Sequence, residues 1–69
     1  MTNTLELELA IKRANITKRD LAKKLGISEM ALYNKISNHA EFKASEIVKL
    51  QEILKLSTKQ RDVIFLRYK

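Results

Sequence analysis

Apolar residues recur every three or four positions along most of the chain, which is the spacing of one buried face of an α-helix. This periodicity predicts five helices: one over 4–14, two within 17–37, one over 44–56 and one from 57 to about 68, with a loop over 38–42. The chain has one glycine and no proline, which leaves little turn chemistry for β-hairpins. We therefore expect an all-α fold of five helices in a single domain spanning 1–69.

The same spacing assigns the side chains that face the core. They are Leu7, Ala10, Ile11 and Ala14, then Leu21, Ala22 and Leu25, then Leu32 and Ile36, and finally Ile47, Leu50 and Leu54. Leu5 and Leu9 point to the opposite side of the first helix, which is unusual for a solvated face. The fifth helix is apolar nearly all round, so it needs cover on more than one side.

The segment 17–37 contains a short turn between two predicted helices. Thr17 is followed three residues later by Asp20, a variant of the capping box that begins a helix. Gly26, the only glycine, suits the left-handed position after a helix end, and Ser28 is a preferred N-cap for the next helix. Helix, short glycine turn and second helix form the helix-turn-helix unit, which presents its second helix to the DNA major groove.

The outer side of that second helix carries Met30, Tyr33, Asn34 and Ser37, spaced as one helical face. We call these four residues the reading face. This face is uncharged and can donate and accept hydrogen bonds, which is the chemistry needed to read base edges. An ordinary solvated face is the alternative interpretation.

A wider pattern accompanies the motif. It consists of Ile16-Thr17-Lys18, Leu21-Ala22, Leu25-Gly26-Ile27-Ser28, Leu32, Ile36, Phe42, Glu46-Ile47 and Leu54. On these positions, residues 7–56 resemble the lambda-repressor-like or Cro-like family of helix-turn-helix domains, also called Xre-like. The arrangement is similar to small phage-encoded regulators. The resemblance implies a five-helix lambda-repressor-like domain that binds double-stranded DNA and regulates transcription.

The resemblance also implies which residues contact DNA. Base contacts are expected from Glu29, Met30, Tyr33 and Asn34. Phosphate contacts are expected from Thr17, Lys18, Ser28, Lys35, Ser37, Asn38 and Lys43. Glu29 has two open roles, because it could accept from a cytosine amino group or only favour the positive end of the helix dipole.

Two lysines depart from the family pattern. Lys18 stands where the family commonly has a glutamine that anchors to phosphate, and it would bind phosphate as a point charge. Lys35 stands where the family usually has an apolar residue. We expect its stem to lie along the core edge while its ammonium reaches solvent or DNA.

A formal net charge of +6 favours an anionic partner. Basic residues cluster in or around the motif at Lys12, Arg13, Lys18, Arg19, Lys23, Lys24, Lys35 and Lys43. Others are spread elsewhere, so the charge is only partly polarised. A second hypothesis is therefore a protein-interaction module of the same fold, such as an antirepressor that binds a repressor.

The remaining features exclude other classes of function. Without cysteine there is no disulfide, thiolate metal site or cysteine catalysis. The one histidine, His39, has Glu41 nearby but no nucleophile beside a base, so we expect no enzyme, no metal and no cofactor. No apolar run reaches membrane-spanning length and no signal peptide is evident, so we expect a cytoplasmic protein.

We also expect a homodimer, because one helix in the groove discriminates poorly and small domains often dimerise. The predicted interface is Val63, Leu66 and Tyr68 on the fifth helix, extended by Leu5 and Leu9. This surface lies away from the reading face, as paired binding to two half-sites requires.

Overall fold

The computed structural model describes residues 1–65, and this part of the chain is built from helices and short connections. The helices are α1 (Thr4–Arg13), α2 (Lys18–Leu25), α3 (Glu29–Ile36), α4 (Ala44–Ile53) and α5 (Thr58–Phe65). The expected all-α fold is confirmed, and no strand occurs in the described region. The predicted loop over 38–42 is confirmed as well.

Helix ends form where the sequence places capping residues. The Thr17 hydroxyl accepts from the Asp20 amide at 3.1 Å, and the Ser28 hydroxyl accepts from the Ala31 amide at 3.0 Å. Gly26 ends α2 with φ of 77°, a left-handed conformation in which an L side chain is strained. These three residues fix the turn between α2 and α3, so the motif folds as predicted.

One leucine from each of the first four helices is fully buried, and these leucines form the centre of the core: Leu7, Leu21, Leu32 and Leu50. α2 packs against both α3 and α4, while α1 packs against α5. The Phe42 and Phe65 rings meet edge to face, with centroids 5.5 Å apart, and join the loop before α4 to α5. The core thus supports α3 from one side and leaves its outer side in solvent.

The fourth helix ends three residues earlier than the periodicity predicts, at Ile53 instead of Leu56. Lys55 takes a left-handed backbone conformation with φ of 55°, and the Leu56 amide donates back to the Gln51 carbonyl at 2.9 Å. This reversal buries Leu56 and frees Ser57 to begin α5. There the Ser57 and Gln60 side chains and amides exchange two hydrogen bonds, which form a capping box at the start of α5.

Candidate nucleic-acid interface

The outer side of α3 is exposed over its whole length. Leu32 and Ile36 anchor the inner side in the core, which orients the helix. Met30 is 70% exposed, Tyr33 is 49% exposed, and Asn34 is exposed one turn from Met30. The reading face is therefore presented to solvent as the 3.6-residue period requires.

Glu29 is the first residue of α3, directly after the Ser28 N-cap, and it is exposed. In this position its carboxylate interacts favourably with the positive end of the helix dipole, and the residue lies one turn before Tyr33 of the reading face. Both roles considered from the sequence are compatible with this placement. Its base contact, like those of Met30, Tyr33 and Asn34, stays a prediction.

Lys18 at the start of α2 connects three helices. Its ammonium pairs with the Glu8 carboxylate of α1 at 2.9 Å and lies 5.5 Å from the centre of the Tyr33 ring on α3. Both members of the ion pair remain partly exposed, at 27% for the Lys18 side chain and 40% for Glu8. The cation expected to meet phosphate is therefore already held beside a residue of the reading face.

Lys35 is placed differently from the expectation. Its ammonium turns inward and contacts both carboxylate oxygens of Glu46 at 2.7 Å, with only 12% and 8% of the two side chains exposed. The expectation that this ammonium reaches solvent or DNA is wrong. The position lies beside the core and has no room for an unpaired charge, so a buried carboxylate neutralises it.

Glu46 serves two neighbours from the first turn of α4. Besides holding Lys35, one of its oxygens accepts from the Lys43 amide at 2.8 Å, which caps the start of the helix. Burial raises the pKa of Glu46. The hydrogen bonds from the Lys35 side chain and the Lys43 amide, together with the charges of both lysines, lower it by more, so the pKa lies below its ordinary value. Glu46 is thus ionised in the folded protein near neutral pH.

The other predicted phosphate contacts lie around the ends of α2 and α3. Thr17 and Ser28 are exposed and use their hydroxyl oxygens as helix caps, which leaves each hydroxyl proton able to donate to a phosphate. The Lys43 side chain is exposed. Ser37 donates to the Tyr33 carbonyl at 2.9 Å and lies 2.7 Å from a ring nitrogen of His39.

The N-terminal residues brace the far end of α3. Asn38, in a left-handed conformation, accepts from the Thr2 amide at 2.8 Å and donates to the Thr2 carbonyl at 2.9 Å. The Thr4 hydroxyl donates to the Ile36 carbonyl at 2.6 Å. The Asn38 side-chain amide is therefore already bonded within the protein. A phosphate contact by Asn38 would have to use other atoms of the residue.

Sequence reasoning missed the residues that hold the motif in place, namely Glu8, Glu46, Thr2 and Thr4. One signal was present for Glu46. Lys35 lies beside the buried side of α3, and a charge placed there requires a carboxylate partner. No local signal marked Glu8 or the N-terminal residues, since their partners lie on other elements of the fold.

The predicted dimer surface is only partly within the described residues. Val63 is 41% exposed on α5, and Leu5 and Leu9 are 68% and 39% exposed on α1. Leu66 and Tyr68 lie outside the described residues. Beside Val63, an open groove of about 250 Å³ runs between α1 and α5, with Ala10, Leu56 and Ile64 among its lining.

Two further properties concern other kinds of site. Within residues 1–65, no group of three or more metal-ligating side chains comes together. None of the helices formed by these residues combines the length and apolar character needed to cross a membrane.

Comparison with known families identifies the motif. A model of the helix-turn-helix family matches residues 7–60, so the chain belongs to this family, the Xre- or lambda-repressor-like helix-turn-helix proteins. It is a DNA-binding helix-turn-helix regulator, and this is a regulatory family, not an enzyme family. Neither the comparison with curated proteins nor the comparison with solved structures gave a match.

Proposed function

We propose that the protein is a sequence-specific regulator of transcription that places α3 in the major groove of double-stranded DNA. The observation that carries this proposal is the exposed reading face on a helix whose opposite side is anchored by Leu32 and Ile36. Tyr33 and Asn34 supply hydrogen-bonding groups there, and an asparagine amide can pair with two atoms of adenine. Met30 supplies apolar surface suited to a thymine methyl group.

Phosphate contacts frame this face in the proposal. Thr17 lies at the start of α2, Ser28 lies at the start of α3, and Lys43 follows the loop after α3. Lys18, beside Thr17, reaches a phosphate only where the phosphate competes with Glu8. Amides at a helix N-terminus attract phosphate, so the two helix starts add to the positive charge. Lys35 is left out of the contact set because Glu46 already neutralises its ammonium.

The finer assignment is a Cro-like repressor of phage or mobile-element origin that acts in the cytoplasm as a homodimer. The dimer would bury Val63, Leu66 and Tyr68, with Leu5 and Leu9 at its edge. The exposed apolar side chains of α1 and α5 support the dimer surface alone, since a small domain gains stability by covering them.

A binding-site selection with the purified protein, followed by salt titrations, tests the proposal. If each protomer neutralises ~3–5 phosphates, the log–log salt slope of a dimer on its selected site should be about −5 to −9. Absence of any duplex binding at low salt would contradict the proposal and favour a protein partner, such as a repressor blocked by this chain.

Variants of the reading face separate sequence reading from phosphate attraction. Tyr33→Ala and Asn34→Ala should each cost about 1–3 kcal/mol on the selected site and leave binding to random DNA nearly unchanged. Lys43→Ala, which removes an exposed charge from the proposed phosphate contacts, is the control, because it should weaken both kinds of binding to a similar extent. Full retention of the specificity ratio by the Asn34 variant would show that another surface reads the bases.

The dimer surface is tested separately with Val63→Lys. Sedimentation should show weaker self-association, while circular dichroism shows an unchanged helix content, because Val63 is already exposed in the protomer. Cooperative binding of a palindrome by this folded variant would place the interface elsewhere.

A further inference from the structure

A single carboxylate outside the helix-turn-helix motif controls the charge at its start. Glu8 lies on α1, yet its carboxylate contacts the Lys18 ammonium of α2 at 2.9 Å. The same ammonium lies 5.5 Å from the centre of the Tyr33 ring on α3. Glu8, Lys18 and Tyr33 therefore form one connected group at the side of the molecule that would face DNA.

We propose that Glu8 is a specificity-determining residue of the DNA-binding surface. Its carboxylate pairs with Lys18, which reduces the contribution of this lysine to sequence-independent phosphate binding. It also positions the lysine beside Tyr33. The inference rests on the proposed function and extends it to a residue that lies outside segment 17–37.

Pairing with Glu8 reduces what Lys18 contributes to the binding of random DNA. Random DNA is bound mainly through the release of counterions from phosphates that the protein neutralises. An ammonium already paired with a carboxylate contributes less to this release, because it must leave Glu8 to meet a phosphate. Glu8 would then face the phosphate without its partner, and the two negative charges repel each other. Glu8 thus lowers binding to all sequences alike.

Glu8 also determines where the Lys18 ammonium lies. The pair is partly exposed, with 27% of the Lys18 side chain and 40% of Glu8 accessible, so a phosphate can compete for the lysine. While Glu8 holds the ammonium, its attraction to the face of the Tyr33 ring helps to fix the ring orientation. Without Glu8, phosphate draws the lysine away and Tyr33 loses this support. Discrimination among base pairs should then decrease.

The test compares Glu8→Gln with Glu6→Gln. Both variants remove one negative charge from the same helix, but Glu6 lines the groove between α1 and α5. On random duplex DNA, Glu8→Gln should steepen the salt slope by about one per protomer and tighten binding about fivefold per protomer near ~0.15 M salt, the effect of one additional neutralised phosphate in each. Its gain on the selected site should be smaller, so the specificity ratio falls. Glu6→Gln should change both affinities only slightly.

A Lys18→Met background makes the test specific to the pair. There, Glu8→Gln should have no more effect than Glu6→Gln, and circular dichroism should confirm that each variant is folded. Equal behaviour of the two glutamine variants in the wild-type background, or an undiminished effect of Glu8→Gln without Lys18, would overturn the inference alone. If the wild-type protein bound no duplex DNA at low salt, the proposed function would be wrong and this inference with it.

Discussion

The two ends of the helix-turn-helix motif each carry a lysine paired with a carboxylate, and the two pairs differ in their contact with solvent. At the start of α2, Lys18 meets Glu8 at 2.9 Å with 27% and 40% of the side chains exposed. At the end of α3, Lys35 meets Glu46 at 2.7 Å with 12% and 8% exposed. The two distances are nearly equal, but water or a DNA phosphate can replace the partner only in the exposed pair. The other pair belongs to the core.

The contribution of each pair to stability depends on its exposure to solvent. An exposed pair adds little to stability, because water screens both charges and solvates them well when they separate. A buried pair adds little relative to apolar residues, yet removing one partner is costly because the other charge stays behind. We therefore expect Glu46 to matter for folding and Glu8 to matter for the response to DNA.

The largest expected effect comes from Glu46→Gln. This change retains an acceptor for the Lys43 amide but leaves the Lys35 ammonium almost buried without a counter-charge. The free energy of unfolding, measured by urea titration, should fall by about 2–4 kcal/mol.

The double variant Lys35→Met with Glu46→Gln is the matched control, since it removes both charges. It should recover most of the loss, because an apolar residue suits this position. A loss below about 1 kcal/mol for Glu46→Gln alone would show that Lys35 finds water readily and that the two pairs are alike.

A smaller effect is expected from pH. Because the folded pKa of Glu46 lies below the ordinary value of 4.5, this group binds protons more readily in the unfolded chain. Its stabilising contribution is full above 4.5 and is lost as the pH falls through the lower folded pKa. The difference in unfolding free energy between wild type and Glu46→Gln should therefore shrink on acidification.

Urea titrations of both proteins between about pH 7 and pH 3 measure this difference, and subtraction cancels the other carboxylates. Glu8→Gln serves as the comparison variant for a carboxylate in an exposed pair. A gap between wild type and Glu46→Gln that stays constant over the whole range would contradict the proposed role of the Glu46 charge.

The smallest effect concerns salt. A double-mutant cycle of Glu8→Gln and Lys18→Met should give a coupling energy of about 0.5 kcal/mol at ~0.1 M salt, as exposed pairs do. This coupling should fall to less than about half near ~1 M salt, where the screening length is about 3 Å. The corresponding cycle for Glu46 and Lys35 should retain most of its coupling. Equal salt dependence of the two cycles would show that the two pairs do not differ in their contact with solvent.

Much of the fold could be predicted because its signals are local. The capping of α2 by Thr17, the left-handed Gly26 and the capping of α3 by Ser28 each involve residues three or four positions apart. The buried and exposed sides of α3 follow from helical periodicity alone. Placement of the reading face in solvent was therefore predictable, although its base contacts remain predictions.

The end of α4 shows where local pattern was insufficient. The sequence 54–56 continues the apolar spacing of the helix, yet the chain reverses at Lys55 and sends Leu56 into the core. Whether Leu56 extends the helix or turns inward depends on the position of α1 and α5. The Ser57 and Gln60 capping box marks where α5 begins, but it does not determine which way Leu56 points.

Within residues 1–65, the amino-acid sequence by itself determined the five helices, the turn at Gly26 and the exposed side of α3, because caps and periodicity act over one or two helical turns. Tertiary structure decided which carboxylate each lysine meets and how the N-terminal residues brace α3. Lys35 and Glu46 are eleven positions apart, and Thr2 and Asn38 are thirty-six apart. Contacts over such separations form only when packing fixes the distance and angle between helices, and that packing is a property of the whole core.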